Sequence, residues 1–107
     1  MSYISFYVTF PDKDTATKII HQVVEERLAA CGNSFPIESC YFWKDELNNE
    51  SEVGAIIKTS ILASESLLKR IESLHPYEVP CISYWQTNAN TLYEEWINES
   101  TINSHDA

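Results

Sequence analysis

The chain has 107 residues, 44% hydrophobic and 12% aromatic, and a formal net charge of −9. That length is one domain burying about two-thirds of its extended-chain surface, and the apolar content excludes a disordered segment. The negative charge, without a basic stripe to displace counterions, argues against nucleic acid or an anionic membrane as partner.

The first elements follow from periodicity. Tyr3 to Phe10 alternates, with Ile4, Phe6, Val8 and Phe10 on one face, which predicts a half-buried strand stopped at Pro11. Met1 to Ile4 enters this strand with no basic-then-apolar leader, and no apolar run approaches the ~18 residues of a membrane span, so a cytoplasmic location is expected. Asp12 or Asp14 offers an N-cap. From Thr15 to Cys31 the apolar residues Ala16, Ile19, Ile20, Val23, Val24 and Leu28 recur at helical spacing, and Gly32 reads as the residue that ends that helix. His21 reads as solvated, and Arg27 as a bridge to a carboxylate on another element.

A second extended stretch covers Ser34 to Lys44, with Pro36 at an edge. The polar run Asp45 to Ser51 reads as a hairpin tip, and Glu52 to Ile61 as the returning strand. Lys58 interrupts that strand, and its amine needs a carboxylate, a carbonyl, a ligand or a path to water. A second helix is predicted over Ser64 to Leu74 with Ser64 as N-cap. The connector His75-Pro76-Tyr77-Glu78-Val79-Pro80 follows. Its prolines fix two φ angles and hold an imidazole, a phenol and a carboxylate on a stiff segment. Cys81 to Gln86 reads as a fourth strand, and Leu92, Tyr93, Trp96 and Ile97 mark a short last helix. The domain runs over residues 1–101, with a polar tail at 102–107.

The order β-α-β-β-α-β predicts an α+β, ferredoxin-like fold: an antiparallel sheet with two helices on one face, plus a C-terminal helix. The outer sheet face would carry Tyr7, Tyr41 or Phe42, and Ile56 without full cover, which suggests a homo-oligomer. The three cysteines, Cys31, Cys40 and Cys81, are widely spaced without a CxxC, so reduced thiols are expected.

Several segments together resemble the CutA family, the divalent-cation tolerance proteins. They are Val8-Thr9-Phe10-Pro11-Asp12, Val24-Glu25-Glu26-Arg27-Leu28-Ala29-Ala30-Cys31-Gly32-Asn33, Tyr41-Phe42-Trp43-Lys44, Ile57-Lys58-Thr59, Leu74 to Pro80, and Leu92-Tyr93-Glu94-Glu95-Trp96-Ile97. The resemblance implies a homotrimer with sheets joined around a three-fold axis, a long hairpin between the second and third strands, and a link to copper or another divalent cation. It implies no settled reaction, so an enzyme is not expected. It places a shared polar cluster on Cys31, Trp43, Lys58, His75, Tyr77 and Glu78; for Tyr93 and Trp96 packing is the first expectation. The chain departs from the family pattern in a Pro36 to Trp43 stretch one residue short, which would remove a bulge or shift register. Asp45 also stands where glycine is usual, and Cys81 follows Pro80.

Two binding chemistries follow. Thiolate and imidazole are soft enough to favour copper, so Cys31, His75 and Cys81 are the candidate metal ligands, with Glu78 able to complete a set. Alternatively, Trp43, Lys58, Tyr77 and Glu78 could hold an anionic or planar small molecule in an inter-subunit cleft, making the protein a trimeric sensor or adaptor. Acid–base roles for Lys58, His75 and Glu78 rank last, because no nucleophile elbow, phosphate loop or carboxylate pair accompanies them.

Overall fold

The alternating strand is β1, Tyr3–Phe10, and it lies inside a four-stranded antiparallel sheet of order β2-β3-β1-β4. The computed structural model describes residues 2–102. The remaining elements are α1 Lys13–Glu25, β2 Cys31–Trp43, β3 Glu46–Thr59, α2 Ser64–Leu74, β4 Ile82–Thr87 and α3 Thr91–Glu99. This is the expected ferredoxin-like order. Of the expected tail, only Ile102 is described, and its amide donates to the Arg27 carbonyl at 2.9 Å.

One sheet face carries the core. Phe6, Val8 and Phe10 of β1 and Ala55 and Ile57 of β3 pack with Ile19, Val23, Leu67 and Ile71 of α1 and α2. Strand period two and helix period 3.6 thus bring their apolar sets to one layer. The outer face is partly covered by α3, which the sequence left open. Tyr93 meets Tyr3 edge to face at 6.0 Å, and Ile97 is fully buried beside Tyr3 and Ala30. Cross-strand pairing puts Tyr7, Tyr41 and Ile56 on this outer face, while Phe42 points to the other.

Helix α1 is shorter than expected. It ends at Glu25, and the chain reverses through Arg27 at φ 60°. Leu28 and Ala29 donate to the Val23 carbonyl at 3.0 and 3.1 Å, which keeps them packed under the helix they have left. Ala29 is buried and Leu28 partly buried, but neither is helical. Gly32 is therefore a β2 residue rather than a helix terminator. Among the described residues Arg27 has no carboxylate partner on a neighbouring element; the tie is made by Arg70 of α2, its guanidinium donating twice to Glu26 at 2.9 Å. Those bonds hold the Glu26 carboxyl below its ordinary pKa.

The hairpin also differs. Its turn is Lys44-Asp45, both at positive φ (51° and 66°), closing Trp43 onto Glu46 as a two-residue mirror-image turn. Register is constant from Cys31↔Lys58 to Trp43↔Glu46, so the short Pro36 to Trp43 stretch carries no bulge. Pro36 is tolerated because β2 is an edge strand. At α2, Ala63 rather than Ser64 is the N-cap residue; Ser60 Oγ accepts from the Ala63 amide at 3.2 Å.

Candidate functional site

The connector is built on His75. As the residue before a proline it leaves α2 in extended geometry (φ −73°, ψ 134°), which aims its ring back at the end of β1. His75 is 9% exposed, and its ring stacks on Phe10 at 5.1 Å. Nε2 donates to the Thr9 carbonyl at 2.7 Å, and Nδ1 accepts from the Tyr77 amide at 3.1 Å. Both nitrogens are thus spent on backbone, and His75 acts as a clamp between β1 and the connector.

That clamp orients Tyr77 toward the protruding hairpin, where its hydroxyl donates to Glu52 Oε2 of β3. Burial, and then the Glu52 carboxylate beside it, push the phenol well above its ordinary pKa, so it stays a donor. Two residues further out along β3, Glu50 accepts from the Tyr41 hydroxyl at 2.9 Å. Between the connector and the hairpin lies a cleft of about 560 Å³. Tyr41, Trp43 and Tyr77 supply its aromatic walls, Glu52 and Glu78 its carboxylates, and Cys81 a thiol. Among the described residues none that lines it is basic.

Three of the four expected ligand-binding residues, Trp43, Tyr77 and Glu78, therefore meet in one place. Lys58 does not join them. It stands six positions beyond Glu52 on β3, roughly 20 Å along the strand. There its Nζ donates to the Tyr93 hydroxyl at 3.1 Å, a bond that raises the amine's pKa against the effect of burial. Cys31 lies in the same group, its Sγ 3.6 Å from the Tyr93 oxygen. Tyr93 is accordingly more than packing: it is the partner that the Lys58 amine required.

The expected metal set is dispersed in the same way. Cys31 is with Lys58, Cys81 is exposed in the cleft, and His75 is closed off behind it. Among the described residues no group of three or more His, Cys, Asp or Glu could hold a metal ion. The donors of one chain thus do not fit a complete transition-metal shell. Sequence reasoning missed Glu52 and Tyr41 as cleft residues. Glu52 reads from the sequence only as the first residue of the returning strand, directly after the polar run Asp45 to Ser51, and its burial comes from a connector more than twenty positions away.

The comparisons with known proteins agree with this architecture. Residues 4–100 match the family model described as CutA1 divalent ion tolerance protein. The divalent-cation tolerance protein CutA of Thermotoga maritima is 39% identical over 100 residues, covering 92% of this chain and 99% of the relative. The chloroplastic protein CutA of Arabidopsis thaliana is 38% identical, covering 94% of this chain and 56% of the relative. The crystal structure of CutA1 from Pyrococcus horikoshii superposes with a TM-score of 0.89 at 38% identity, covering 92% of this chain and 98% of the other. With its fold, its connector and nearly its whole length matched, the chain belongs to the CutA1 divalent ion tolerance family.

Proposed function

We propose that the chain is a homotrimeric, non-catalytic cation-binding protein of the divalent-cation response, working in the cytoplasm, with copper as the favoured ion. The observation that carries this reading is the cleft lining: the Cys81 thiol and the Glu52 and Glu78 carboxylates, with no basic residue among the described lining residues. Thiolate favours copper over most first-row ions, and carboxylate suits the divalent state. Since one chain does not close a shell, the proposed site draws further donors across a subunit boundary, Cys31 being the remaining soft donor of the expected set. His75 serves it by holding the connector in place. Charge supports the same reading, because a trimer would carry three times −9 and would accumulate cations.

The trimer itself is supported by two sheet edges, β2 and β4, and by an outer face on which Phe35 and Trp85 remain 37% and 46% exposed. A second reading, a small-molecule sensor or adaptor, is favoured by the aromatic walls around the same cleft. Lys58 would reach a ligand there only from a neighbouring subunit.

Anaerobic copper titration of the reduced protein against a competing chelator, with zinc as control, tests the first reading. Saturation at one or a few ions per subunit is expected, with Cys81→Ser weakening affinity by about tenfold or more. Unsaturable binding that fades with salt would reduce the effect to the charge of the surface.

A further inference from the structure

The cleft has an electrostatic sign opposite to the anion site expected from Lys58. Glu52 is only 9% exposed, and its Oε2 is taken by the Tyr77 phenol, a neutral donor. Among the described residues no Lys, Arg or His side chain forms an ion pair with it. A buried carboxylate without a counterion is costly, and a single phenol leaves its charge uncompensated. The walls beside it are rings, and the negative face of an aromatic ring attracts a cation, as the Trp43 ring already does with the Lys44 ammonium 5.6 Å from its centroid. The metal reading uses only the thiol and the carboxylates of this lining, with further donors from a neighbouring subunit, and leaves the aromatic walls without a role.

We propose that the cleft is a site for a small organic cation, a primary ammonium or guanidinium group. It is held among the Tyr41, Trp43 and Tyr77 rings, with Glu52 as counterion and the exposed Glu78 at the rim. This rests on the reading of the cleft as a small-molecule site and adds the class of ligand. His75 and the two prolines make the site rigid before the ligand arrives, since the Tyr77 ring is set by the His75 Nδ1 contact and the Glu52 bond together.

The test compares three probes of one shape and different charge, phenylethylammonium, 2-phenylethanol and phenylpropionate, by amide NMR titration of the full chain in its native oligomeric state. Phenylethylammonium is expected to saturate the site and to bind about tenfold or more tightly than the neutral alcohol, with shifts confined to the connector and the outer hairpin. Glu52→Gln should remove that preference, and Trp43→Ala should weaken binding severalfold. Because Glu52 is buried and its variant can fail to fold, Glu78→Gln and Trp43→Ala, both at exposed positions, carry the test independently. Equal binding of the ammonium and the alcohol overturns the cation proposal while keeping the cleft as a small-molecule site. Preference for phenylpropionate overturns it in the opposite sense. No binding of any probe sinks both the proposal and the small-molecule reading beneath it.

Discussion

Gly32 needs no unusual backbone angle; it is small because Ile20 of α1 crosses directly over it. A Cβ placed there would lie 2.7 Å from Ile20 Cγ2 and 3.3 Å from Cγ1, a branch point anchored to the helix that cannot swing aside. Gly54 is different, because its Cβ would meet the far edge of the Phe35 ring at 2.9 Å, and that ring is partly exposed. Gly32→Ala is therefore expected to destabilise by about 1–3 kcal/mol through overpacking, and Gly54→Ala by less. Urea denaturation of the two variants side by side checks the order. Equal losses would mean that Phe35 is held as firmly as Ile20. Such close approach left only a weak trace in the sequence: a glycine after an apolar helical run reads first as a helix terminator, and register alone places it under Ile20.

The β2–β3 hairpin shows where local pattern stops informing. Residues 46–51 are polar on both faces apart from the exposed Leu47, because the hairpin extends beyond the end of β1 into solvent, so the alternation that marks a half-buried strand is missing. The polar run then mimics a loop, while the true turn is two residues with no glycine. Lys44 and Asp45 both occupy left-handed backbone geometry that side chains disfavour. Asp45→Gly is expected to stabilise the protein by about 0.5–1 kcal/mol without changing the Trp43↔Glu46 register. A rise in the denaturation midpoint with unchanged cross-strand NOEs would bear this out; a fall would show that the Asp45 side chain makes a compensating contact. By contrast, α2 follows its sequence pattern along its length, apart from the cap at Ala63. Leu67 and Ile71 pack on the sheet through the spacing that marked them.

For the whole molecule, the unsatisfied feature is the outer face. The C-terminal helix α3 covers one end of it, but Tyr7, Phe35 and Trp85 remain on open sheet, with Tyr7 and Phe35 stacked at 6.5 Å. Burying such rings is worth on the order of 1.5–3 kcal/mol each, and a second and third copy of the chain is the partner we propose for them. Light scattering is expected to give a mass of about 37 kDa, three times the 12.3 kDa of one chain. Trp85→Glu should lower that mass by placing a charge on the joining face. A wild-type mass near that of one chain would remove both the trimer and any site shared between subunits.

Sequence by itself determined the element order, the faces of β1 and α2, the stiff His75 to Pro80 connector and the family. Each of these is carried by local periodicity, by proline geometry or by contiguous motifs. Tertiary structure alone decided which polar residues meet. Cys31, Lys58 and Tyr93 went to one end of the sheet, and Trp43, Glu52, Tyr77, Glu78 and Cys81 to the other. It also turned both nitrogens of His75 inward and left the cleft acidic. The reason is physical: burial periodicity tells each residue which face it occupies. The distance between side chains far apart in sequence depends on strand register to the single residue, and no local pattern encodes that.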